Sequence, residues 1–326
     1  MNPAFSVIFL TTLIGTAQGL FLALVTAQSY ALFNLLPAQD SQSFYAVGAL
    51  VALALSALGL ASSFLHLGRP ERAWRSAAMW RTSWLSREVI VLPAFMAVVF
   101  IYGLAHFTDW KPVVATLPDR IAVDATMLLG AAGTVLAFAL FICTAMIYAC
   151  LPFLREWHSP LTVINYVLLG GASGFTLAAA FSVSRAPELT HFYAAWALAI
   201  TLLAFVGRVA SLLRNQRLKP KSTLQTAIGV KHPRIVQKSA GFMGGSFNTR
   251  EFFHGKSRSI VRAVKWVFLV GVFVLPVFLL SVGLWVDASG VLPLVFVVQY
   301  LGLLAERWFF FAEANHPQNL YYQAIA

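Results

Sequence analysis

The chain has 326 residues, 59% hydrophobic and 11% charged, with a net charge of +11 and only two cysteines. A soluble domain carries about 25% charged residues, so this composition excludes a water-soluble fold. The lack of any C-x-x-C pair argues against an iron–sulfur cluster or structural zinc held by this chain alone.

Apolar runs longer than about 18 residues recur along the chain, as helices crossing a bilayer core require. The strict apolar–polar alternation of a membrane β-barrel is missing. The predicted fold class is therefore all-α, a polytopic membrane bundle of eight transmembrane helices forming a single membrane domain over residues 1–326. The spans are expected near residues 5–33, 44–66, 88–107, 121–151, 160–183, 190–212, 264–286 and 291–313. The first has no Lys or Arg before it and is about twice the length of a signal-peptide core, so it reads as a retained span. Pro93 and Pro276 fall inside spans, where neighbouring helices can satisfy the freed backbone groups. Gly170, Gly171 and Gly174 form a small-residue face on the fifth span, as close helix packing uses. Cys143 and Cys150 lie seven residues apart on one span, a helical rise of roughly 10 Å. That separation is too great for a disulfide.

Most of the 23 Lys and Arg residues fall in the segment near residues 67–88 and in the long loop 214–262. With eight spans, these loops share one side with both termini, and the positive-inside rule places that side in the cytoplasm. The bias keeps its direction without the long loop. That loop is basic enough to suit anionic lipid, but it also carries GFMGGSFNTREFFHG, residues 241–255. Phe242, Phe247, Phe252 and Phe253 sit there among glycines, and exposed aromatics of this kind point to a docking partner on the cytoplasmic face. No nucleic-acid partner is expected.

Chemistry concentrates in FLHLGRPERAWRSAAMWRTSWLSREV, residues 64–89. The tryptophans Trp74, Trp80 and Trp84 suit interfacial anchors, and the arginines suit positive-inside charge. His66 and Glu88 flank the loop at the ends of two consecutive spans, a depth at which ionisable groups are functional suspects. A His and a Glu beside an apolar pocket match quinone chemistry, in which two protons accompany two electrons. His titrates nearest neutrality, and burial raises a Glu toward it. Haem ligation within the membrane needs histidines inside facing spans. His66, His106, His158, His191 and His316 lie at span ends or in loops, and His232 and His254 lie in the long loop, so a haem is not expected.

FLHLGRPERA with SWLSREV resembles the membrane-anchor subunits of the dimethyl sulfoxide reductase family, DmsC. The resemblance extends to the closing segment AERWFFFAEANHPQNLYY, residues 305–322. It implies a haem-free anchor in the bacterial inner membrane, exchanging electrons between an iron–sulfur subunit and a membrane quinone, ubiquinone or menaquinone. Molybdopterin and iron–sulfur clusters would belong to the catalytic and electron-transfer partner subunits. The resemblance assigns quinol binding to the motif positions His66 and Glu88, with Arg69, Arg72, Trp84 and Arg87 as pocket or docking residues. The long loop and the inferred cytoplasmic orientation are similar to anchors of cytoplasm-facing sulfite dehydrogenases, which implies sulfite oxidation. The alternative is a quinol-oxidising anchor of a dimethyl sulfoxide reductase.

A secondary transporter usually shows repeated halves and midplane charges. No clear repeat is visible, and the ionisable residues read as clustered at the boundaries, with Asp124 the near exception. A purely structural anchor is a further alternative, separable by replacing His66 or Glu88.

Overall fold

The computed structural model describes residues 1–116, 122–219, 222–236, 238 and 252–321. Among them are eight helices long and apolar enough to cross a membrane: α1 (Phe5–Leu32), α2 (Ser41–Phe64), α3 (Trp84–Phe107), α4 (Ala125–Ala149), α5 (Pro160–Arg185), α6 (Pro187–Gln216), α7 (Arg258–Trp285) and α8 (Ser289–Glu313). The all-α, eight-span fold expected from the apolar runs is the fold observed. A short antiparallel hairpin, β1 (Val113–Thr116) with β2 (Ala122–Asp124), is added between α3 and α4.

Polar side chains at the helix starts account for several boundaries. Asp40 accepts from the Ser43 amide at the start of α2, Ser83 from the Ser86 amide, Asp124 from the Met127 amide and Ser159 from the Leu161 amide. Each satisfies one of the amides that a helix start leaves unbonded. The Ser83 cap starts α3 at Trp84, four residues earlier than its apolar run suggests. Glu88 therefore lies a full turn inside the helix.

Two devices hold the bundle together without a hydrophobic gradient to drive them. The first is backbone proximity, which small residues permit in a membrane. α1 packs on α5, where a side chain at Gly174 would collide with the backbone of Gly19, and one at Gly19 with the Gly170 carbonyl. Gly171 instead turns toward Ile200 on α6. The second concerns Pro276 in α7. A proline lacks the amide that would bond the carbonyl four residues earlier and clashes with that carbonyl. The preceding turn, Leu269–Val274, widens to a π-helix, and Gln299 of α8 donates to the carbonyl of Val272 at 3.3 Å.

Both chain ends meet at one end of the bundle: the Met1 amino group donates to the Ala314 carbonyl at 2.7 Å. The α2–α3, α4–α5 and α6–α7 connections share this end. In the α6–α7 connection, Phe242 and Phe247 lie outside the described residues. Phe252 stacks on His316 at 3.7 Å, its carbonyl accepts from Asn319, and Phe253 is buried. Phe253 thus packs within the chain itself, while Phe252 lies half-buried against the closing segment.

Candidate functional site

The α2–α3 connection folds as a ten-residue 3-10 helix, Pro70–Met79, with no buried residue. Arg69 and Arg72 are exposed, Arg72 lying 3.9 Å from Glu71. Trp74 and Trp80 are 72% and 53% exposed, so this segment presents an unburied aromatic and cationic face at the end carrying both termini. Arg87 anchors the connection to α3. Its Nε donates to the Trp80 carbonyl at 2.9 Å, its Nη2 donates to the Arg81 carbonyl at 2.8 Å, and the guanidinium lies 4.2 Å from the Trp84 ring centre.

His66 and Glu88 flank this face but point to different places. His66 lies just past the end of α2, exposed, with Nδ1 3.1 Å from the Ser6 hydroxyl of α1. Partial burial holds its pKa below the ordinary 6.5, because desolvation disfavours the charged imidazolium. Glu88 faces the interior and is buried, accepting a hydrogen bond from Thr144 of α4 at 2.5 Å. Among the described residues no hydrogen bond or ion pair joins His66 to Glu88. The chain presents one exposed and one internal titratable side chain near the same boundary.

Glu88 lines a narrow enclosed cavity with Thr11, Thr12, Gln18, Thr144, Tyr166 and Arg307. The last two come from α5 and α8, and they lead to a feature that sequence reasoning missed. Arg208 of α6 and the neighbours Glu306 and Arg307 of α8 are 2%, 1% and 4% exposed, inside the spans. Arg208 Nε lies 2.8 Å from Glu306 Oε1, Arg307 Nη1 lies 3.6 Å from Glu306 Oε2, and Arg208 Nη2 lies 3.9 Å from Glu313 Oε2. Arg307 also lies 3.7 Å from the Tyr166 ring centre. The expectation that ionisable residues keep to the boundaries is therefore corrected: three charges are buried within spans. Pairing offsets the high cost of placing each one there. The signal was present as single charges inside apolar windows, although nothing local to α6 or α8 indicates that they meet.

A second polar cluster lies toward the opposite end. Tyr102 donates to Gln28 Oε1 at 2.9 Å, Gln28 Nε2 donates to Thr126 at 2.7 Å, and Thr126 donates to Asp124 at 2.7 Å. His106, buried in the last turn of α3, pairs with Ser41 at 2.6 Å. Among the described residues no three His, Cys, Asp or Glu side chains converge as metal ligands would.

Comparison with known proteins places this architecture. The family model described as "DMSO reductase anchor subunit (DmsC)" matches residues 1–306. The chain is also 59% identical over 326 residues, all of both chains, to a sulfite dehydrogenase subunit from Allochromatium vinosum. An eight-span bundle matched by that model over nearly its whole length is a multi-pass membrane protein, and it belongs to the DMSO reductase anchor subunit (DmsC) family.

Proposed function

We propose that this chain is the quinone-reactive membrane subunit of a molybdopterin oxidoreductase complex. It passes electrons from a partner iron–sulfur subunit to membrane quinone during sulfite oxidation, and brings no haem of its own. The full-length identity to a subunit of a sulfite dehydrogenase supports the sulfite assignment. The partners dock on the exposed Arg- and Trp-bearing face of the α2–α3 connection. This end of the bundle faces the cytoplasm, since most of the Lys and Arg outside the spans lie there.

The single observation that carries the quinone reading is Glu88, a buried carboxyl whose hydrogen-bond donor is Thr144, set one helical turn behind that docking face. Quinone reduction takes up two electrons and two protons, and a carboxyl withdrawn from water can hold a proton at neutral pH and release it on demand. The cavity beside Glu88 has room for about one water, roughly 10 Å³, and does not admit a quinone ring. The ring therefore binds outside it, against the surface near His66, Trp84 and Arg87. His66 serves from the exposed side and Glu88 from within, while Arg69 and Arg72 contribute positive charge to the pocket rim or to the docked partner.

The test is sulfite-dependent reduction of decylubiquinone by the purified complex, compared between wild type, His66→Ala and Glu88→Gln. Retained assembly with lost quinone turnover supports the assignment. Unchanged turnover in both variants returns the chain to a purely structural anchor. Failure of sulfite, with quinol-dependent reduction of dimethyl sulfoxide in its place, reverses the direction of electron flow.

A further inference from the structure

Charges inside a bilayer are costly enough that a helix bundle rarely keeps them without using them. Arg208, Glu306 and Arg307 would be explained as a structural clamp if their polar atoms closed on one another. They close only in part. Arg208 Nε and Nη2, Arg307 Nε, Glu306 Oε2 and Asn165 Oδ1 are buried without a well-aligned hydrogen bond, and the Tyr166 hydroxyl has only Tyr148 beside it. The 2.8 Å approach of Arg208 to Glu306 is an ion pair whose N–H points off the carboxylate. A clamp selected for stability alone would leave few such atoms, each costing about 1–3 kcal/mol when unmet.

All six atoms belong to residues lining one narrow polar cavity between α5, α6 and α8, which runs out to Glu156 and Asn215, both half-buried at the membrane boundary. Glu313, whose side chain is 18% exposed, lies beside it through Arg208. The Glu88 cavity and this one share two lining residues, Tyr166 and Arg307. Each has about 10 Å³ of room, near the least that holds a single water with several polar partners.

We propose that the two cavities form one proton-transfer route joining Glu88 to the boundary at Glu156, Asn215 and Glu313, with the Tyr166 hydroxyl and Arg307 at the junction. This rests on the quinone-reactive reading above. In the direction of quinone reduction, two electrons arrive from the partner's iron–sulfur centre and two O–H bonds form on the quinone. The Glu88 carboxyl gives up one of the two protons, and His66, protonated from the aqueous face, gives the other. The carboxylate left behind regains a proton from water in the first cavity, and the deficit passes through Tyr166 and the second cavity to the aqueous boundary. Arg307 and Arg208 stay charged throughout, since a guanidinium does not deprotonate in a protein. Their positive charge, paired with Glu306, offsets a transient carboxylate at Glu88 and orients the waters between.

The experiment uses the intact purified complex, with sulfite as reductant and decylubiquinone as acceptor, in H₂O and D₂O. Ferricyanide reduction at the partner serves as a readout that bypasses the membrane. Tyr166→Phe keeps the ring under Arg307 and removes only the hydroxyl. It is expected to slow quinone reduction about tenfold or more and to enlarge the solvent isotope effect, with assembly and the ferricyanide rate unchanged. Glu306→Gln is expected to behave likewise and to recover rate when formate is added as a small proton carrier.

Wild-type quinone rates and isotope effects in Tyr166→Phe, beside an inactive Glu88→Gln, would overturn the route and leave the function standing. A wild-type rate in Glu88→Gln would remove Glu88 from the site and the route with it, and a wild-type rate in both Glu88→Gln and His66→Ala would overturn the functional reading itself. If Glu306→Gln fails to assemble while Tyr166→Phe runs at the wild-type rate, the network is a structural clamp and the route is again overturned.

Discussion

The bundle holds two buried polar layers, one toward each end, and they are built differently. Toward the hairpin end, Tyr102, Gln28, Thr126 and Asp124 hand one hydrogen bond to the next, from α3 to α1 to α4 and on to β2, at 2.7–2.9 Å. Toward the end carrying both termini, Glu88, Arg208, Glu306 and Arg307 are charged or chargeable, and several of their atoms lack a well-aligned hydrogen bond. A continuous hydrogen-bonded chain ending on Asp124 orders four elements. An open ionic layer is harder to maintain and retains donors and acceptors for something else. The difference separates a polar layer explained by structure from the one to which the proposed proton route is assigned.

The largest effect should come from the dry region where α1 crosses α5 between the layers. A side chain at Gly174 meets the backbone of Gly19, which no rotamer relieves. Gly174→Leu should separate α1 from α5, disrupting both layers together, and leave no assembled complex on detergent extraction and size-exclusion chromatography. Recovery of a normally assembled complex would mean that the crossing is not the element the two layers hang from.

Next in size, Glu88→Gln should lower quinone turnover by about a hundredfold while the complex assembles normally. The amide keeps the shape of the group and its hydrogen-bond distance to Thr144 but cannot release a proton at neutral pH. The matching change in the other layer, Gln28→Leu, strands the Tyr102 hydroxyl and leaves Thr126 only its bond to Asp124. It should cost about 1–3 kcal/mol of stability, read as a lower midpoint of denaturant-induced unfolding in detergent. Turnover per assembled complex should not move. A large loss of turnover from Gln28→Leu, with stability intact, would erase the distinction between the layers.

The contrast also explains what was legible in the sequence. Eight spans could be read because a bilayer demands about 20 apolar residues at a time, a local property of each segment. Gly170 and Gly174 could be read as a packing face because small residues have one common use there. Glu88 stood out because it sits beside a distinctive motif, although its depth was underestimated: the Ser83 cap, rather than hydropathy, decides where α3 begins. The ionic layer was not legible. Arg208 and the Glu306–Arg307 pair are isolated charges in long apolar windows, and their pairing depends on helix rotations that no single segment encodes. The π-turn of α7 is intermediate. Pro276 announced a disturbance, but its resolution needed Gln299 from another helix.

The smallest expected effect concerns His66, the exposed counterpart of Glu88, and it tests whether the charged layer reaches the surface. Burial lowers the His66 pKa below its ordinary 6.5, so at neutral pH the folded chain carries a neutral imidazole. Between the folded pKa and 6.5 the unfolded chain binds more protons than the folded one. Stability from this group is therefore fully present above about 6.5 and declines as pH falls through that value toward the folded pKa. The decline should be shallow, because the ring is largely open to solvent and screening weakens its interactions. The functional consequence has the same origin and a clearer readout. A neutral imidazole can accept a proton but has none to spare as an acid, so quinone reduction routed through His66 should rise as pH drops below 6.5, whereas quinol oxidation should fall. His66→Gln should flatten that acid limb in a pH–rate profile of the assembled complex, leaving the turnover that depends on Glu88. An acid limb that survives the substitution would assign it to another group and remove His66 from the proton path.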